Sequence, residues 1–102
     1  MKRVVKKPFP PNPEVQVPAD LGRAIASARS QTGMTQEEAA LFCGVSKQTF
    51  VGIEQGRPGT AIGSVLAVAS QFGVSVMVMP RSVSQIARES LKKLLSEDSH
   101  AA

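Results

Sequence analysis

The amino-acid sequence predicts an all-α protein: a bundle of four to five helices, with one short C-terminal β-strand and a C-terminal amphipathic helix. Three observations support this fold class. Apolar residues recur at helical spacing between residues 18 and 72, glycines separate these stretches, and residues 74–79 form a short β-branched run. The 102 residues, 42% of them apolar, have room for one domain with a modest core.

Composition argues against several classes of protein. A single cysteine, Cys43, cannot form an intrachain disulfide and suits a reducing cytoplasm. No apolar run reaches the length of a membrane span, and the basic start leads into prolines, so we expect neither a span nor a signal peptide. No metal cluster, nucleophile–base pair or phosphate-binding glycine loop is visible. We therefore expect no metal, no cofactor and no enzymatic activity.

The positive charge lies outside the predicted bundle. The formal net charge is +4. Residues 1–18 carry Lys2, Arg3, Lys6 and Lys7 against Glu14, whereas residues 19–80 carry equal numbers of basic and acidic side chains. Charge alone is therefore only a mild indication of a nucleic-acid partner.

Residues 1–17 are interpreted as a flexible, basic arm. Repeated proline disfavours helix and favours extended chain; the prolines of this region are Pro8, Pro10, Pro11 and Pro13, with Pro18 following. We favour a solubilising tail, with a minor-groove contact as the alternative. Residues 15–17 alternate and would form an edge strand only if a partner strand is present.

The first two helices have clear start and stop signals. Pro18 suits the first position of a helix, Asp20 suits its positive end, and Gly33 ends it. Thr35 and Glu38 form a capping box that starts the second helix.

The third and fourth predicted helices also have an N-cap residue at the start and a glycine at the end. Ser46 is the predicted N-cap of the third helix, which ends near Gly56. Thr60 is the predicted N-cap of the fourth, which Gly73 ends. The helical module therefore spans residues 18–80, including the strand, and residues 81–102 form the C-terminal amphipathic helix and tail.

The second and third predicted helices are short and are joined by a tight turn at residues 43–45. Gly44 permits the positive φ that such a reversal needs. Two helices at this angle can place one across DNA phosphates and the next in the major groove.

Residues 34–57 resemble the Xre/Cro-type, lambda-repressor-like helix-turn-helix family. The matching pattern is Thr-Gln-Glu-Glu at 35–38, Gly-Val-Ser at 44–46 and Ile-Glu-x-Gly at 53–56. With the flanking helices, the resemblance covers about residues 18–72. It implies a DNA-binding domain with a recognition helix at residues 46–55.

The resemblance implies roles for individual residues. The base-contacting set is Ser46, Lys47, Gln48 and Thr49, and the phosphate-contacting set is Gln36, Gln55, Arg57 and Thr60. Glu54 resembles the family's structural acid, which pairs with a basic residue of the first helix, here Arg23 or Arg29. Gly52 is a departure, because many relatives carry a base-reading side chain there.

The predicted strand suggests a dimer. Pairing with the same strand of a second subunit would satisfy its backbone and cover its side chains; pairing with residues 15–17 is the intrachain alternative. The predicted dimerisation residues are Val74, Val76, Met77 and Val78. This order of elements resembles the HipB-like antitoxins, which implies autorepression and binding to a HipA-like kinase toxin.

The sequence thus predicts a cytoplasmic, homodimeric, sequence-specific repressor that binds double-stranded DNA at a palindromic operator and is an antitoxin by resemblance. Two alternatives stay open. One is a protein-interaction module that neutralises a partner with little DNA binding, and the other is a solitary phage-type repressor.

Overall fold

The chain folds into five α-helices in a computed structural model that describes the backbone of residues 3–101 and the side chains of residues 3–96. The helices are α1 (Pro18–Thr32), α2 (Gln36–Cys43), α3 (Lys47–Gln55), α4 (Ile62–Gln71) and α5 (Arg81–Ala101). α3 packs against α1 and α2, and α4 packs against α2. Over the described residues, no helix combines the length and the apolarity needed to cross a membrane.

Most of the predicted capping residues are found at the ends of the helices. Gly33 ends α1 with a positive φ, and the hydroxyl of Thr35 accepts from the backbone N–H of Glu38 while the Glu38 carboxylate accepts from that of Thr35. Ser46 caps α3 as predicted, by accepting from the N–H of Thr49. These contacts satisfy N–H groups that the helices themselves leave unpaired.

The cap expected at Thr60 was wrong. α4 begins at Ile62 after Ala61, and no side chain caps it. The Thr60 hydroxyl instead donates to the backbone oxygen of Arg57, within the loop between α3 and α4.

The core is small and aliphatic, with one phenylalanine at its centre. Its fully or nearly buried apolar residues come from α1 to α4 and the segment after α4: Ile25, Ala39, Ala40, Phe50, Ile53, Val68, Ala69 and Val74. Phe50 and Phe72 meet edge to face, with ring centroids 6.2 Å apart, a favourable aromatic geometry. Met34 also packs against this core.

Two glycines allow α1 to approach α3 very closely. A Cβ at Gly22 would lie 2.4 Å from the backbone oxygen of Glu54, and a Cβ at Gly56 would lie 2.4 Å from the backbone of Ala19. These distances are below van der Waals contact, and the atoms concerned are backbone atoms that cannot rotate away. The absence of side chains at both positions therefore sets the α1–α3 distance.

The C-terminal β-strand predicted at residues 74–79 was wrong: residues 74–80 have no regular secondary structure, and the described chain contains no strand. The N–H of Val74 donates to the backbone oxygen of Ala69 and closes the end of α4. The N–H groups of Gln16 and Val17, in the alternative partner strand, donate to the Asp20 carboxylate at the start of α1. Backbone N–H groups that a β-ladder would use are therefore bonded at helix ends instead. These local hydrogen bonds outweigh the β-strand preference of the β-branched residues.

The N-terminal arm lies against the helices although it has no regular secondary structure. The N–H of Lys7 donates to the hydroxyl of Ser30 (2.9 Å), and the Gln31 amide donates to the backbone oxygen of Lys7 (2.7 Å). Phe9 packs on the core. Further along, Glu14 pairs with Arg88 of α5 at 2.7 Å. The arm thereby links the end of α1 to α5.

Alanine should have opposite effects on the free energy of unfolding at two helical glycines, Gly22 and Gly63. Gly22→Ala should lower the free energy of unfolding by about 3 kcal/mol or more, because the added methyl meets backbone atoms of α3. Gly63→Ala, in the first turn of α4, should raise it by up to about 1 kcal/mol through helix propensity, because no atom beyond its chain neighbours and the helix's own backbone lies within 4 Å of the new Cβ. Urea denaturation followed by circular dichroism measures both, and two shifts of the same sign would contradict this account.

Candidate DNA-binding surface

The turn between α2 and α3 has the geometry of a helix-turn-helix. Gly44 adopts a φ of +71°, as its place in the turn predicts, and its N–H and that of Val45 close the end of α2. Ser46 then starts α3. The turn therefore consists of three residues and leaves the N-terminal end of α3 projecting from the core.

The four predicted base-contacting residues lie together at this end of α3. Ser46, Lys47 and Gln48 are exposed and Thr49 is half-buried. The Ser46 hydroxyl both accepts from the N–H of Thr49 and lies 3.0 Å from its hydroxyl. By contrast, the side chains of Lys47 and Gln48 have no hydrogen-bond or ion-pair partner within the described part of the chain.

A buried ion pair joins α1 to the other end of α3. Arg29 Nε and Nη2 donate to the two carboxylate oxygens of Glu54 at 2.6 and 3.1 Å, and the two side chains are only 11% and 5% exposed. Arg29 Nη1 also donates to the backbone oxygen of Met34, just before α2. Of the two predicted partners of Glu54, the structure therefore shows Arg29, while Arg23 pairs with Asp20 on the surface.

Gln36 attaches α2 to the same ion pair. Its amide Nε2 donates to Oε1 of Glu54 at 2.8 Å, so α1, α2 and α3 all meet at one carboxylate. We call Arg29, Gln36 and Glu54 the polar hub. Gln36 is half-buried at the first position of α2. Its predicted phosphate contact would have to come from the amide atoms that the hub leaves free.

The remaining predicted phosphate-contacting residues lie at and after the end of α3. Gln55 and Arg57 are exposed and Thr60 is half-buried. Arg57 and Thr60 line an open groove together with Gln48 and Thr49, which connects the start of α3 to the α3–α4 loop. The structure thus brings a predicted base-contacting pair and a predicted phosphate-contacting pair to one groove.

Gly52 makes room for Arg57. A Cβ at Gly52 would lie 3.4 Å from Cδ and 3.7 Å from Nη1 of Arg57, so the arginine side chain lies over the bare backbone of α3. The position where many relatives carry a base-reading side chain is therefore covered here by Arg57, which reaches it from the following loop. The N–H of Arg57 also donates to the backbone oxygen of Gly52 at 3.0 Å, a contact that the left-handed conformation of Gly56 at the end of α3 allows.

The predicted dimerisation residues fall into two groups. Val74 is only 9% exposed and belongs to the core of its own chain. Val76, Met77 and Val78 are exposed, Val78 to 95%.

Two basic residues outside the predicted site lie beside it. Arg3 and Lys7 of the arm line an open groove that Gln36 and Lys47 also line. Sequence spacing could not show this proximity, because it depends on the hydrogen bonds from the arm to the end of α1.

The capping box lowers the pKa of the Glu38 carboxyl. The N–H of Thr35, followed by its hydroxyl, holds the pKa of the Glu38 carboxyl below its ordinary value of 4.5. The negative charge also lies in the first turn of α2, where it is favourable to the helix dipole.

Comparison with known proteins agrees with this geometry. Residues 20–79 match the family model of a helix-turn-helix domain, which is more than half of the chain. The chain belongs to the Xre-type helix-turn-helix family. It is also 32% identical over 65 residues to an uncharacterized HTH-type transcriptional regulator, y4mF, of Sinorhizobium fredii. That match covers 64% of this chain and 86% of the relative.

Because of the polar hub, we expect substitution of Arg29 to destabilise the fold far more than substitution of Arg23, although both arginines lie on α1. Arg29→Met should lower the free energy of unfolding by about 3 to 5 kcal/mol, because it leaves the carboxylate of Glu54 buried and unpaired. Arg23→Met removes an exposed pair with Asp20 and should cost less than about 1 kcal/mol. Equal shifts in the denaturation midpoint would contradict the hub. The double variant Arg29→Met/Glu54→Met should recover much of the loss.

The lowered pKa of Glu38 predicts a loss of stability in acid. Because the folded-state pKa lies below 4.5, the capping carboxylate stabilises the fold above that pH, and this contribution disappears as pH falls through the folded-state pKa. Glu38→Gln keeps a hydrogen-bond acceptor but does not titrate. Its unfolding free energy should therefore fall less steeply below pH 4.5, and parallel curves for the two proteins would exclude this role.

Proposed function

We propose that this protein is a sequence-specific transcriptional repressor that acts as a homodimer on double-stranded DNA. The observation that carries the proposal is the exposed N-terminal end of α3. There Lys47 and Gln48 have no hydrogen-bond or ion-pair partner among the described residues, and an open groove lies on each side. Such an end fits the major groove, where side-chain donors and acceptors read base edges.

The chemistry of this end suits base recognition. Gln48 carries both a donor and an acceptor and can bind adenine with two hydrogen bonds, while Lys47 can donate to guanine. Thr49 can place its methyl group against thymine. Two hydrogen bonds between Ser46 and Thr49 stabilise the first turn of α3.

Phosphate contacts supply the affinity in this proposal. Arg57, Gln55 and Thr60 would contact the backbone on one side of the recognition helix, and Gln36 on the other. Arg57 is the strongest candidate because it is charged, exposed and positioned over Gly52. Affinity that rests on phosphates decreases steeply as salt rises.

A dimer would match a palindromic operator with half-sites about one helical turn apart. The exposed side chains of Val76, Met77 and Val78 favour this part of the chain as an interface, through side-chain packing. The similarity to a protein named as a transcriptional regulator supports regulation of transcription by this chain as well. We place the protein in the cytoplasm, where an autoregulatory repressor meets its own operator.

A second candidate function is supported by the exposed apolar residues of α5. Val83, Ile86 and Leu94 are more than half exposed and lie on one amphipathic helix. A partner protein, such as a HipA-like kinase toxin, would cover such a face, which would make this chain an antitoxin. The polar α3 end does not need that partner, so DNA binding and partner binding are separable.

Two glutamine substitutions test the DNA-binding proposal. Gln48→Ala should weaken binding to a duplex from the region upstream of the chain's own gene by about 1 to 3 kcal/mol, because a bidentate base contact is lost. Gln85→Ala, an equal truncation at an exposed position of α5, should bind like the wild type. Fluorescence anisotropy titrations measure both. Equal affinities for the three proteins would reject the base contact proposed for Gln48.

A further inference from the structure

The N-terminal arm lies beside the start of α2 and α3. Residue 7 is held at both of its backbone polar groups: its N–H by the hydroxyl of Ser30 and its oxygen by the amide of Gln31. Ser30 is 1% exposed, so this attachment point is part of the folded core. Phe9, two residues on, packs on the core as well. The position of the arm is therefore built into the fold.

This attachment directs the beginning of the arm along the predicted DNA-binding face. Arg3, Val4, Val5 and Lys7 form one side of an open groove of about 410 Å³. The other side carries Gln36, at the start of α2, and Lys47, at the start of α3. The arm is thus continuous with the surface that carries the predicted contacts.

The groove is positively charged. Arg3, Lys7 and Lys47 contribute three cations that make no ion pair with any side chain the structure describes. Glu37 is the one acidic residue among those that line it, and Arg29 is neutralised by Glu54. The helical module of residues 19–80 is itself neutral, so the arm supplies the excess.

We propose that the arm is a second phosphate-binding element: Arg3 and Lys7 contact the DNA backbone next to the phosphates that Gln36 faces. This inference rests on the proposed function, because it requires α3 to enter the major groove. Backbone phosphate is the matching ligand because the groove is open and cationic, and it borders the proposed reading helix. The arm thereby provides attraction that the neutral helical module lacks.

A matched pair of charge variants tests this proposal. Arg3→Gln/Lys7→Gln removes two cations from the groove, and Lys92→Gln/Lys93→Gln removes two from α5, none of whose described residues lines either groove. The two variants have the same net charge. The probe is a duplex from the region upstream of the chain's own gene, titrated between about 50 and 200 mM salt.

The arm variant should lower the slope of log affinity against log salt by about 2, roughly one for each lost phosphate contact. The α5 variant should keep the wild-type slope. Wild-type binding with equal slopes for the two variants would overturn the role of the arm and leave the proposed function standing. Absence of wild-type binding at every salt concentration would overturn both.

Discussion

The buried ion pair between Arg29 and Glu54 is the interaction on which the arrangement of the DNA-binding face depends. The Glu54 carboxylate, on α3, accepts hydrogen bonds from Arg29 of α1 and from Gln36 of α2. Three helices are therefore oriented by a single side chain. A buried pair contributes little net stability but is costly to break, so it favours one relative arrangement of helices over others. Gly22 complements it by letting α1 approach the backbone of α3.

In the function we propose, attraction to DNA comes from the placement of charge, because residues 19–80 carry no net charge. Lys47 lies at the start of α3, Arg57 covers Gly52, and the arm adds Arg3 and Lys7 along the α2 side. The positive groups thus follow the edges of the recognition helix, while the acids Glu38 and Glu54 are engaged in a cap and in the hub. A neutral domain can in this way present a positive face.

Most helix caps were predictable from the sequence, although the cap expected at Thr60 was wrong, and the pair between Glu54 and Arg29 was anticipated only through the family resemblance. The caps at Thr35 and Ser46 and the turn at Gly44 depend on neighbouring residues, and the structure confirms them. The strand at residues 74–79 failed because a strand needs a partner for its backbone, and the N–H of Val74 had already closed α4. The attachment of the arm to Ser30 joins residues 23 positions apart, whose proximity no short pattern encodes. The roles of the site residues in DNA contact stay predictions.

We propose that two copies of α3 read adjacent turns of DNA. A hydroxyl-radical footprint of the full chain on the DNA upstream of its own gene, at low and at moderate salt, tests it most directly. We expect two protected patches about one helical turn apart, with protection that weakens as salt rises. A single protected patch would contradict the dimer, and no protection at any salt would contradict the DNA-binding role of α3.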